Sequence, residues 1–175
     1  SYQLPKADLT VTAAPSQHFS GRGLRNRNST LWSSLVIQSR RHAVFFSGDT
    51  GLTTEYAAIR KRLGPFDLVM LEVGAFHPAW GHIHLGPENA LEAWALLGKS
   101  AFLPVHWGTF SLAMHAWDEP AETLLALGRQ ICAALRTSFA LTDATVQISA
   151  SVGFTVFPEL AANATFEQRL PPGHN

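Results

Sequence analysis

Three side chains able to hold a cation follow apolar stretches that read as strands. His18 comes after an alternating segment at residues 9–13, Asp49 after Ala43–Phe46, and His106 directly after Ala101–Val105. Asp49 poses the sharpest question. In AVFFSGDTG (residues 43–51) a bare carboxylate stands just beyond a core strand, where an unpaired charge is costly. Two imidazoles and a carboxylate from separate strand ends make a partial metal site, suited to zinc, manganese or iron. Each residue also has a plainer role. A histidine at a strand end is commonly a hydrogen-bonded structural residue, and Asp49 is placed to cap a helix opening near Thr53. Asp49-Thr50-Gly51 also spells the aspartic-protease triplet, which works as a pair of aspartates and in so short a chain requires a homodimer. The helical patterns after Asp49 argue against that mostly β fold.

The elements that must position these residues follow from periodicity. Leu9, Val11 and Ala13 alternate as in an edge strand. LWSSLVIQ (31–38) and the AVFFS stretch form two further strands joined by a polar turn at Arg40-Arg41-His42, a predicted hairpin. Tyr56, Ile59 and Leu63 then recur at helical spacing, stopped by Gly64-Pro65. DLVMLEV (67–73) reads as a strand buried on both faces. A second helix opens at Gly86-Pro87-Glu88, turns Ala90, Leu91, Trp94 and Leu97 inward and ends at Gly98. A further strand precedes His106, and a third helix starts near Asp118-Glu119-Pro120. Alternation from Val146 to Val156 predicts one more strand, and 158–175 reads as a loose tail. The expected fold is α/β, a mixed sheet with helices on one face, in a single domain over residues 1–175.

The bulk numbers restrict the function classes. The chain has 175 residues, 46% hydrophobic and 15% charged, which suits a sizeable core. Thirteen basic residues balance thirteen acidic ones, so no charge footprint for nucleic acid is present. The one basic cluster, Arg22, Arg25 and Arg27, reads as a solvated loop or a phosphate contact. A single cysteine, Cys132, excludes an internal disulfide, favours a reducing compartment and reads as a small buried filler. No apolar run is long enough for a transmembrane segment. The expected location is cytoplasmic or membrane-peripheral.

Several short words then occur in one order: PSQHFSGRG, TLW, SGDTG, LEVGAF, HLGPENAL and PVHWGTF. Together, over roughly residues 10–128, they resemble the metallo-β-lactamase superfamily, and within it the branch of the phospholipase D that hydrolyses N-acyl phosphatidylethanolamine. The resemblance implies a metal-dependent hydrolase, of phosphodiesterase or phospholipase D type in the complete protein, using two zinc ions, with manganese or iron as alternatives. It implies His18, Asp49 and His106 as metal ligands, Asp49 bridging two metals. It implies His84 as a catalytic residue beside the metals that contacts the reacting phosphate or leaving group. Arg22 is a candidate phosphate contact, Trp107 a packing residue and Thr109 a supporting contact.

The family's His-x-His-x-Asp-His motif is absent from these residues, and His82-Ile83-His84 is a poor substitute for it. His82, like His42, His77, His115 and His174, reads as a loop histidine. The expectation is therefore the C-terminal half of an αββα sandwich, inactive alone. Its open apolar sheet face should pair with the missing N-terminal half or with a second copy of the chain. The substrate implied is a phosphodiester or phospholipid. The non-catalytic alternative is a fragment or interaction module that pairs through that same face.

Overall fold

A computed structural model of the chain describes residues 1–4, 7–21, 23, 25–110, 112–135, 139–140 and 145–146. Arg22, His174, the strand expected beyond Val146 and the expected tail at 158–175 lie outside the described residues. The chain divides into two compact units, Ser1–Leu127 and Gly128–Asn175.

The first unit is built on a six-stranded mixed sheet in the order β1 (Tyr2–Leu4), β2 (Leu9–Pro15), β3 (Ser33–Gln38), β4 (Ala43–Phe46), β5 (Leu68–Glu72) and β6 (Ala101–Val105). Strands β1 to β4 pair antiparallel, and β4, β5 and β6 pair parallel. The predicted hairpin is β3–β4, with Val36 opposite Phe45. Strand β1 has no counterpart in the sequence reading. It is three exposed residues long, too short to show a period.

Helix α1 (Glu55–Leu63) connects β4 to β5, and α2 (Gly86–Leu97) connects β5 to β6. Helix α1 opens without a side-chain bond from Thr54. The neighbouring Thr53 hydroxyl accepts from the Glu55 N–H at 3.3 Å instead. Helix α2 starts with Pro87 and Glu88 in its first turn and closes on Gly98, which takes a left-handed φ of 110° and donates its N–H to the Trp94 and Ala95 carbonyls. A third helix, α3 (Glu119–Leu135), begins in the first unit with Glu119 and Glu122 in its opening turn. In the second unit it is followed by a short antiparallel pair, β7 (Phe139–Ala140) and β8 (Thr145–Val146). Cys132, expected as a buried filler, is half-buried on α3. Among the described residues no helix is long and apolar enough to cross a membrane.

The two faces of the sheet differ. Val36, Phe45 and Val69 lie in one row across β3, β4 and β5, all fully buried. They join Tyr56 and Ile59 of α1 and Ala90, Ala93 and Leu97 of α2 in one core. Phe45 is the centre of an aromatic group, its ring 6.1 Å from Tyr56 and 5.7 Å from Phe66. The next row, Leu35, Phe46, Met70 and Leu103, points the other way and is half-buried, with Leu103 exposed. The expectation that residues 67–73 are buried on both faces is therefore corrected. Leu68 and Met70 are only half-buried, because α1 and α2 cover the other side of β5.

Phe45→Ala should lower unfolding stability by about 3–5 kcal/mol in urea titration. Val44→Ala, on the half-buried face, should lower it clearly less.

Candidate metal centre

Strand direction gathers the candidate residues. Strand β2 runs antiparallel to β3 and β3 antiparallel to β4, so β2, β4, β5 and β6 all point the same way. Their C-terminal ends share one edge of the sheet, the usual place for a site in such sheets. His18 follows β2, Asp49 follows β4, Glu72 ends β5 and His106 follows β6, while His84 precedes α2.

Backbone bonds lace the loops at this edge. Gln17 N donates to Thr50 Oγ1 at 3.0 Å, Gly51 N to Gln17 O at 2.9 Å and Ser16 Oγ to Asp49 O at 3.1 Å. Gln17 Nε2 donates to His82 O at 2.7 Å, so His82 serves here through its carbonyl. Gly51 lies so close to this turn that a Cβ on it would meet His82 O at 2.3 Å. Tyr56 OH closes the floor by donating to Gly51 O at 3.1 Å. Burial raises the Tyr56 pKa, against the Thr50 hydrogen bond and with help from the Glu72 charge.

Asp49 Oδ1 lies 3.1 Å from His106 Nε2, with both side chains about one-third exposed. The His84 ring centre is 5.7 Å from that of His106 and 5.3 Å from that of His18. His18 is flanked by Phe19 at 4.4 Å and Trp32 at 4.7 Å. The structure thus brings His18, Asp49, His84 and His106 to one rim. Asp49 faces an imidazole here, and the sheet carrying it is mixed and covered by helices, so the aspartic-protease reading of Asp49-Thr50-Gly51 is corrected. His77 accepts from Ala79 N within its own turn, whereas His115 accepts from Phe76 N, tying the loop after β6 to the loop after β5, and bonds to Ala116 O. Trp107 packs against the core, and Thr109 is exposed beside His106.

The sequence reading missed Glu72. Its carboxylate is fully buried and accepts from Thr50 N at 3.0 Å, Leu85 N at 2.9 Å and His84 Nδ1 at 2.8 Å. The signal was one acid between Leu71 and Val73 in an apolar strand, where a charge requires several donors. Burial disfavours protonation of His84, but the hydrogen bond and charge of Glu72, with the charge of Asp49, outweigh it and hold its pKa above the ordinary histidine value.

The family model of the beta-lactamase superfamily domain matches residues 1–107. The chain belongs to the metallo-β-lactamase superfamily. An uncharacterized protein of Mycobacterium tuberculosis is 48% identical over 122 residues, covering 68% of this chain and 32% of that protein. The N-acyl-phosphatidylethanolamine-hydrolyzing phospholipase D 1 of Caenorhabditis elegans is 35% identical over 124 residues, covering 68% and 35%. The chain thus spans about a third of the length of these curated relatives. An isothiocyanate hydrolase from Delia radicum gut bacteria shares the superfamily fold, with a TM-score of 0.52 at 22% identity over 69% of this chain and 48% of that one.

The superfamily residues at the rim fit a metal ion. The Nδ1 atoms of His18 and His106 meet the carbonyls of Phe19 and Gly74. A carbonyl only accepts, so these nitrogens carry the protons and leave each Nε2 with a lone pair. Two such borderline nitrogens together with the hard Asp49 carboxylate form a donor set of the kind zinc, manganese and iron accept. Glu72, His84 and His106 also offer one ligand atom each within 4.8 Å of one another.

Gly51→Ala should destabilise the protein by about 1–3 kcal/mol through overpacking against the His82 carbonyl.

Proposed function

We propose that these residues are part of a metal-dependent hydrolase acting on a phosphodiester or a related ester, with His18, Asp49 and His106 as metal ligands and Asp49 shared between two metals. The single observation that carries this reading is the 3.1 Å approach of Asp49 Oδ1 to His106 Nε2 at the edge where four strands end. When bound, the metals supply Lewis acidity and a water acidified towards a pKa of about 7.

The chain's own residues then orient and protonate. His84, held at Nδ1 by Glu72 and with a raised pKa, donates a proton from its other nitrogen to the leaving oxygen. Beside His106 lies a cavity of about 190 Å³ whose wall includes Trp107, Phe110 and Trp117. That apolar wall suits a substrate with a hydrocarbon or aromatic group next to the scissile bond, consistent with a phospholipid. The half-buried row of Leu35, Phe46, Met70 and Leu103 is the surface against which further chain of the complete protein, or a second copy, packs.

The experiment is turnover of bis(p-nitrophenyl) phosphate and of phospholipid vesicles by the full native protein. Activity should disappear with chelator and return with zinc or manganese. Asp49→Asn should lower turnover by more than about 100-fold, the most that residues outside the coordination sphere typically account for. Its unfolding midpoint without metal should stay close to that of the unaltered protein. Turnover indifferent to both chelator and Asp49→Asn would remove the proposal.

A further inference from the structure

Glu72 sits behind the site. Its Oε1 accepts the backbone N–H groups of Thr50 and Leu85, and its Oε2 meets His84 Nδ1 at 2.8 Å and His106 Nδ1 at 3.3 Å. An ionised carboxylate offers about four lone-pair sites and no donor. Three N–H groups from two segments, the Thr50 loop and His84–Leu85, donate to it, and His106 Nδ1 from a third segment lies beside it. With the side chain fully buried, a cation that used Glu72 as a ligand would have to displace donors that have no water to turn to.

An acceptor-only group also dictates what faces it. His84 must present a protonated Nδ1, which leaves its Nε2 for the open side. His106 stands between two acceptor-only groups, with Nε2 3.1 Å from Asp49 Oδ1, so Glu72 alone does not set its tautomer. The two rings are not held equally. His106 Nδ1 also has the Gly74 carbonyl, whereas Glu72 is the one acceptor at His84 Nδ1 among the described residues.

We propose that Glu72 is a positioning residue, not a metal ligand: it fixes the Nδ1–H tautomer of His84 and so turns that ring's Nε2 to the reaction. This deepens the metal-hydrolase reading and rests on it for the purpose of the alignment, but the tautomers can be read without any metal.

The test uses the full native protein, ¹⁵N-labelled at histidine and stripped of metal, at a pH high enough for both rings to be neutral. Two-bond ¹H–¹⁵N correlations should show His84 protonated at Nδ1. In Glu72→Gln the amide oxygen can keep the Thr50 and Leu85 N–H groups, while the NH₂ faces His84. His84 should then switch to the Nε2–H form. His84 protonated at Nε2 in the unaltered protein overturns the proposal, as does a His84 tautomer unchanged in Glu72→Gln. The first measurement needs no variant, so it decides even where Glu72→Gln does not fold. Missing turnover with the tautomers as stated would count against the hydrolase reading alone.

Discussion

A fully buried carboxylate, Glu72, is the constraint on which the rim of this protein depends. Moving such a charge out of water is unfavourable by several kcal/mol unless hydrogen bonds replace its hydration. The chain supplies them from the Thr50 loop and from His84 and Leu85 ahead of α2, with His106 Nδ1 lying 3.3 Å away. Because these groups come from three segments, satisfying one charge draws several loops together. Glu72 N in turn donates to Ser47 Oγ at 3.1 Å, so the strand end and the loop before Asp49 are locked to each other.

Strand direction supplies the rest. Parallel β4, β5 and β6, with β2 in the same sense, deliver their last residues to one edge. The core beneath is the row of Val36, Phe45 and Val69 under α1 and α2. It holds the strands in register while the loops beyond carry the polar groups. Packing and chemistry are thereby kept on separate parts of the same strands.

The sequence made much of this legible. Period-two and helical spacings marked β2 to β6 and α1 to α3, and Gly98 and Pro87 marked helix ends, because these signals are local. Three things were not legible. Strand β1 is too short to carry a period. The half-buried state of Leu68 and Met70 depends on which side the helices take, which no local pattern contains. Glu72 stood in plain view within LEVGAF, yet its role requires partners 12 to 34 residues away. Of the candidate ligands, strand ends pointed to His18, Asp49 and His106, but their approach to one another is a property of strand direction, not of spacing.

His106 holds a left-handed backbone, with φ of 66°. Few residue types enter that region without strain: glycine freely, and asparagine, aspartate and histidine more readily than the others. Evolutionary drift at this position therefore has a short menu. Glycine relaxes the main chain but removes the donor, asparagine keeps only a weak one, and aspartate alone offers a comparable substitute. The turn itself thus filters which side chains natural variation can place there, apart from any selection on what that side chain binds.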